Sequence, residues 1–137
     1  HGIALKPGKP TLVATLGECL LIGLPGNPVS ALVIYHLLVR PALWRRMGLA
    51  RPPRRASCRA RLSKAVRRPA TREELVRVRL IERDGSLWAE PLSGSSGVLQ
   101  SLAQADGLVW ISFANERYAA GEEVEVWLLP ERVDGSG

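Results

Sequence analysis

The sequence predicts an α/β piece followed by a small all-β, barrel-like domain. Three observations lead there. Two short apolar runs, Thr11–Leu16 and Cys19–Leu24, are split only by Gly17-Glu18, and a long amphipathic segment follows them directly. After the linker the apolar period changes from helical to strand-like. Between the two regimes stands Ala50–Arg55 with Pro52-Pro53, a linker composition. The expected organisation is residues 1–49 as the α/β piece, 50–55 as linker, 56–132 as barrel domain and 133–137 as a frayed tail.

Each element has a local reason. Thr11–Leu16 and Cys19–Leu24 are strands joined by a tight hairpin at Gly17-Glu18. Val29–Met47 is a helix, with Val29, Leu32, Val33, Leu37 and Leu38 on recurrent apolar positions. Pro41 should kink or restart it, since proline removes a donor and crowds the preceding turn. Arg45 and Arg46 suit its C-terminal end, and Gly48 can cap it. Ser57–Val66 alternates. Leu75–Arg83 places Val76, Val78 and Leu80 on one face and Arg77, Arg79 and Ile81 on the other. Asp84-Gly85 signals a hairpin turn into a strand at Leu87–Pro91. Val98, Leu99 and Leu102 make a short helical set, and Leu108–Ser112 and Val124–Leu129 complete five barrel strands. The linker is expected to separate two units that touch little, leaving the helix face of Leu32, Val33 and Leu37 for other chain to cover.

Composition narrows the function classes. A hydrophobic content of 46% supports a packed core. No apolar run reaches the ~18 residues a membrane helix needs, and no signal-peptide pattern opens the chain. His1 is not a natural start and suggests truncation or a tag remnant. Cys19 and Cys58 lack metal-ligand spacing, so a reducing, cytoplasmic setting is the simpler reading. Cys19 is expected as an inert core thiol and Cys58 as the more exposed one. His36 falls inside the helix and is read as a packing residue. The net charge of +6 comes mainly from arginines between Arg45 and Arg72. A basic stretch can bind nucleic acid. This one lacks interleaved aromatics, and a solvated basic face is favoured over a nucleic-acid partner.

Chemistry concentrates in two motifs. Gly23-Leu24-Pro25-Gly26-Asn27-Pro28-Val29-Ser30 turns a strand into a helix. Pro25 fixes its φ, Gly26 permits positive φ or close backbone approach, Asn27 suits the N-cap and Pro28 the first turn. Free N–H groups at such a corner face an anion well. Just upstream, Lys6-Pro7-Gly8-Lys9-Pro10 is equally rigid and carries two cations, point-charge partners for an oxyanion. No Ser-His-Asp set and no paired carboxylates stand out.

Ala4–Pro10, the hairpin, and Gly23–Ala31 in that order resemble the molybdopterin molybdenumtransferase family, MoeA and the gephyrin E domain. Ser95–Leu108 and Gly121–Val126 resemble the same family's C-terminal domain. The resemblance spans nearly the whole chain. It implies the last part of the family's third domain and the whole of its fourth, so that 1–49 is a hairpin-helix remnant of an α/β molybdopterin-binding domain. The sequence is therefore expected to be part of a longer protein.

By that resemblance the whole enzyme takes adenylylated molybdopterin and molybdate, releases AMP and leaves the metal on the dithiolene, with magnesium assisting. Lys6, Pro25 and Pro28 match the family's site residues. Lys9, Gly26, Asn27 and Ser30 lie beside them as substrate-binding candidates. Arg77 matches an arginine of the second barrel strand, and Ser96 a serine of a Gly/Ser loop; both would serve a partner subunit's site in a homodimer. The residues alone leave Arg77 open as an exposed strand arginine and Ser96 as a loop residue. A further family lysine falls on Gly2, a departure that weakens the carry-over of its role and leaves His1 open as a replacement. No metal ligand is assigned in this chain. A gephyrin-like peptide scaffold and a basic nucleic-acid-binding barrel remain as alternatives.

Overall fold

The computed structural model describes residues 2–50, 53–92 and 104–129. The chain opens with a two-residue strand, β1 (Leu5–Lys6), followed by a hairpin of β2 (Leu12–Leu16) and β3 (Cys19–Gly23). Leu16 pairs with Cys19, so Gly17-Glu18 forms the whole turn, as expected. The helical stretch runs from Pro28 to Arg46 in three parts. These are α1 (Pro28–Ile34), a π-helical turn (Tyr35–Val39) and α2 (Arg40–Arg46). Arg40 N–H donates to Tyr35 O, one residue further back than an α-helix would reach. Pro41 then sits in the first turn of α2, where its missing N–H costs little. The helix restarts at the proline instead of ending there. Beyond Met47, Gly48 N–H bonds Arg45 O at 3.1 Å and Leu49 N–H bonds Trp44 O at 3.0 Å, the two bonds of a glycine C-cap.

Five strands close on themselves. They are β4 (Ser57–Leu62), β6 (Glu73–Arg83), β7 (Ser86–Pro91), β8 (Gly107–Ile111) and β10 (Glu123–Leu128). The order β6-β7-β4-β10-β8 returns to β6, because β6 pairs with β7 along its second half and with β8 along its first. β4 and β7 run parallel; the other barrel pairs are antiparallel. Asp84 and Gly85 both have positive φ, the backbone of a tight primed turn between β6 and β7. Ala60, Leu62, Val78, Ala89, Val109, Val124 and Val126 fill the interior. Val76 and Leu80 pack on that cluster beside Val78, which is the inward face the alternation predicts. Three short strands go beyond the apolar pattern: β1, and a side ribbon of β5 (Val66–Arg67) with β9 (Arg117–Tyr118). The first barrel strand accordingly ends at Leu62, before Val66. The helical set around Val98 and the tail at 133–137 lie outside the described residues.

The two pieces touch more than their linker suggests. β1 adds to the barrel sheet beside β6 in parallel, with Leu5 opposite Glu73 and Lys6 opposite Glu74. Val33 on α1 is buried together with Leu75 and Leu108 of the barrel, and Leu5, Leu37, Trp127 and Leu129 pack around them. The expectation of little contact is therefore corrected: the barrel's outer surface covers the Val33–Leu37 face of the helix. What stays bare is the other side, where Leu16, Leu21, Leu43 and Met47 are exposed. The cysteines are reversed for the same reason. Cys19 lies on the uncovered hairpin and is exposed. Cys58 packs on the barrel core, and burial pushes its thiol pKa up.

Candidate functional site

The Lys-Pro-Gly segment folds into a compact loop. Gly8 O accepts two hydrogen bonds from Thr11, from N–H at 3.0 Å and from Oγ1 at 2.7 Å, and Thr11 is buried. Ile3 N–H bonds Lys9 O and Gly2 N–H bonds Thr11 O, both at 3.1 Å, and the Lys6–Pro7 peptide is cis. Gly8 has φ +131°, and a Cβ there would stand 2.6 Å from Ile34 Cδ1. The positive φ favours glycine here, and the loop lies against the tip of the Ile34 side chain. That contact joins the loop to the far end of α1, the helix that the second motif starts.

The corner is capped as the sequence predicts. Asn27 Oδ1 accepts from Val29 N–H at 3.0 Å and Ser30 N–H at 3.2 Å, with Pro28 at the first helical position. Ala31 N–H bonds Asn27 O at 2.9 Å. This corrects one expectation: the first-turn N–H groups are already taken by Asn27 and are not free for an anion. A second correction concerns Gly26. Its φ lies outside the left-handed region, and a Cβ added there would meet nothing within 4 Å. Neither reason for glycine applies within the described residues. Pro25 and Ser30 are buried, and Gly26 and Pro28 are exposed.

The cations have distinct surroundings. Lys6 Nζ makes an ion pair with Glu74 Oε1 at 2.9 Å, across the seam between the pieces. The lysine side chain is half exposed, so two of its three N–H donors can still face solvent or a ligand. Lys9 is exposed on the same loop. Arg77 lies on β6, three residues beyond Glu74, and is buried to 9% exposure, not the exposed strand arginine the alternation allowed. The helical piece and β8 cover that stretch of the barrel's outer side; burial holds the Arg77 pKa below the usual guanidinium range. Ser96 lies outside the described residues. Sequence reasoning missed Glu74 and Thr11. Thr11 left a signal, a hydroxyl directly after the Lys-Pro-Gly-Lys-Pro run; Glu74 is 68 positions from its partner and left none.

Among the described residues, no three His, Cys, Asp or Glu side chains group closely enough to hold a metal ion. No described helix is long and apolar enough to cross a membrane. What the arrangement offers is a positively charged loop packed on the Ile34 end of α1, a helix whose start is capped by Asn27.

Residues 59–129 match the family described as MoeA C-terminal region (domain IV). The chain belongs to that family, as the C-terminal portion of a MoeA-type protein. It is 34% identical over 131 residues to molybdopterin molybdenumtransferase 2 of Mycobacterium tuberculosis (strain CDC 1551 / Oshkosh), covering 93% of this chain and 31% of the relative. It is 31% identical over 130 residues to molybdopterin molybdenumtransferase of Bacillus subtilis (strain 168), covering 94% and 30%. The crystal structure of the molybdopterin biosynthesis MoeA protein of Pyrococcus horikosii superposes with a TM-score of 0.75 at 38% identity, covering 93% of this chain and 31% of that one. The chain therefore spans about a third of the length of these relatives.

Proposed function

We propose that this chain supplies the C-terminal third of a molybdopterin molybdenumtransferase acting in molybdenum cofactor biosynthesis. The observation that carries this reading is the likeness to enzymes of that name over 93% of the chain, with the Lys-Pro-Gly loop seated on the helix that Asn27 caps. In this reading the substrates are molybdopterin adenylate and molybdate, and AMP leaves as the metal is inserted. Lys6 and Lys9 supply charge to the pterin phosphate or the oxyanion. Pro25 and Pro28 keep the wall beside them rigid, and Gly26, Asn27 and Ser30 shape the surface between. Arg77 and Ser96 of the barrel serve the site of a second subunit in a homodimer. Magnesium finds no ligand set among the described residues, so no step runs through it here.

A chimera tests the reading. Residues 2–129 replace the matched segment of the Bacillus subtilis relative, and molybdate insertion is measured with purified protein. The chimera is expected to be active and the 137-residue chain alone inactive. Lys6→Ala in the chimera should weaken pterin-phosphate binding by ~1.5–3 kcal/mol, with the loss shrinking at high salt. An unchanged Kd at low salt removes Lys6 from the site. An inactive, folded chimera overturns the reading as a whole.

A further inference from the structure

A second basic site lies away from the Lys-Pro-Gly loop, in the cleft between helix and barrel. Its volume is about 520 Å³, inside the ~300–1,000 Å³ range of small-molecule sites. Four separate stretches line it: the π turn with α2, residues 53–56, Leu108 of β8, and the end of β10 with Leu129. They bring Arg40, Arg54 and Arg55 together around one space with His36, and among the described residues no carboxylate lines it. Elsewhere Lys6 pairs with Glu74 and Arg67 with Glu116, while Arg68 lies over the Phe113 ring and donates to backbone carbonyls. Here Arg40 and Arg55 meet indoles. The Arg40 guanidinium lies 4.6 Å from the Trp44 ring centre, and that of Arg55 lies 4.3 Å from Trp127. Arg55 Nη2 also donates to His36 O at 3.1 Å, which fixes its plane. Leu37, Pro41 and Leu129 form an apolar wall in the same cleft.

We propose that this cleft binds a small organic oxyanion, a phosphate monoester or carboxylate on a flat apolar body. The anionic group would take the remaining N–H edges of Arg40 and Arg55, whose planar forks suit such groups. The body would lie on the wall between Leu37, Pro41 and Leu129. Crowding of like charge gives the site its appetite for an anion. Burial first, then the nearby Arg40, lowers the Arg55 pKa, and burial followed by Arg40 and Arg55 lowers that of His36. An anion relieves this repulsion, and each guanidinium rests on an indole face.

The test is a titration of the 137-residue chain with phenyl phosphate, benzoate and inorganic phosphate, read from the indole N–H resonances of Trp44 and Trp127. Phenyl phosphate or benzoate should shift both signals saturably, and whichever binds more tightly identifies the oxyanion. Inorganic phosphate should bind at least about tenfold more weakly, because the apolar wall then contributes nothing. Arg40→Gln and Arg55→Gln should each weaken binding about tenfold. Arg67→Gln, which removes the same charge outside the cleft, should leave it unchanged. If Arg55→Gln fails to fold, Arg40→Gln decides, since it leaves the Arg55–His36 hydrogen bond in place. Absence of saturable shifts at millimolar probe, equal affinity for inorganic phosphate, or an equal loss in Arg67→Gln each overturns the proposal.

Discussion

Among the described residues, two antiparallel hairpins share a sequence character and meet opposite fates. β2–β3 and β6–β7 both alternate or run apolar, and both close through a two-residue turn. In β6–β7, Val78 and Ala89 are fully buried. In β2–β3, Leu12, Val13, Leu16, Leu20 and Leu21 are all exposed. The difference is not in the strands but in what stands opposite. β6 and β7 belong to a closed barrel, so their inward side chains meet those of β4, β8 and β10. β2 and β3 form a two-stranded sheet, and among the described residues only the edge of the helix lies against it. Apolar patterning identifies a strand; closure or a second layer decides whether it is stabilised.

The largest expected effect breaks the comparison at its core. Leu62 is 0% exposed in the barrel, and Leu16 is 73% exposed on the hairpin. Leu62→Ala should cost about 2–5 kcal/mol in urea unfolding, the transfer loss plus an unfilled cavity. Leu16→Ala should stay within about 0.5 kcal/mol. Equal losses would mean that the hairpin is covered by something in solution, a second copy being the first to test by sedimentation.

A smaller effect sharpens the comparison at two glycines. Gly107 lies where β8 meets β10, and a Cβ there would fall 2.8 Å from Trp127 O and against the Val126 side chain. Gly107→Ala should cost about 1–3 kcal/mol, because the barrel strands must separate to admit it. Gly26 meets nothing within 4 Å, so Gly26→Ala should be neutral or stabilising by about 0.4–1 kcal/mol through the unfolded chain. The opposite ranking would show that the corner is the tighter packing environment.

These glycines also mark what the sequence could and could not reveal. The five barrel strands were legible because β4, β6 and β10 alternate and β7 and β8 are short apolar runs. The Asn27 cap was legible because capping is a matter of a few adjacent residues. Gly26 misled because it stands among turn formers, whose company implies a strained backbone that is not there. Gly107 gave no warning, since its constraint comes from Trp127, twenty positions later. Strand β1 is two residues long and acquires its identity only by pairing with Glu73 and Glu74. The burial of Arg77 depends on layers from other parts of the chain. The arginine cleft is invisible for the same reason: Arg40, Arg55 and Trp127 come from three segments. Local chemistry is written locally; contacts across the seam are not.

The smallest expected effect concerns that seam. Lys6 and Glu74 link the open piece to the closed one, with side-chain exposures of 52% and 16%. Water screens a half-exposed pair, and ordering a lysine costs entropy, so the attraction is modest. A cycle of Lys6→Met, Glu74→Gln and the double variant should give a coupling of about 0.5 kcal/mol that falls as salt rises. The apolar contacts of Val33 with Leu75 and Leu108 then carry the joint, and the ion pair only sets where the Lys6 ammonium rests. A weak pair is also what the candidate site requires. A lysine held by a fraction of a kilocalorie can turn toward an incoming oxyanion, whereas one held by several would stay with Glu74. A salt-insensitive coupling above about 2 kcal/mol would place this pair among the desolvated ones and make Lys6 a structural residue of the seam.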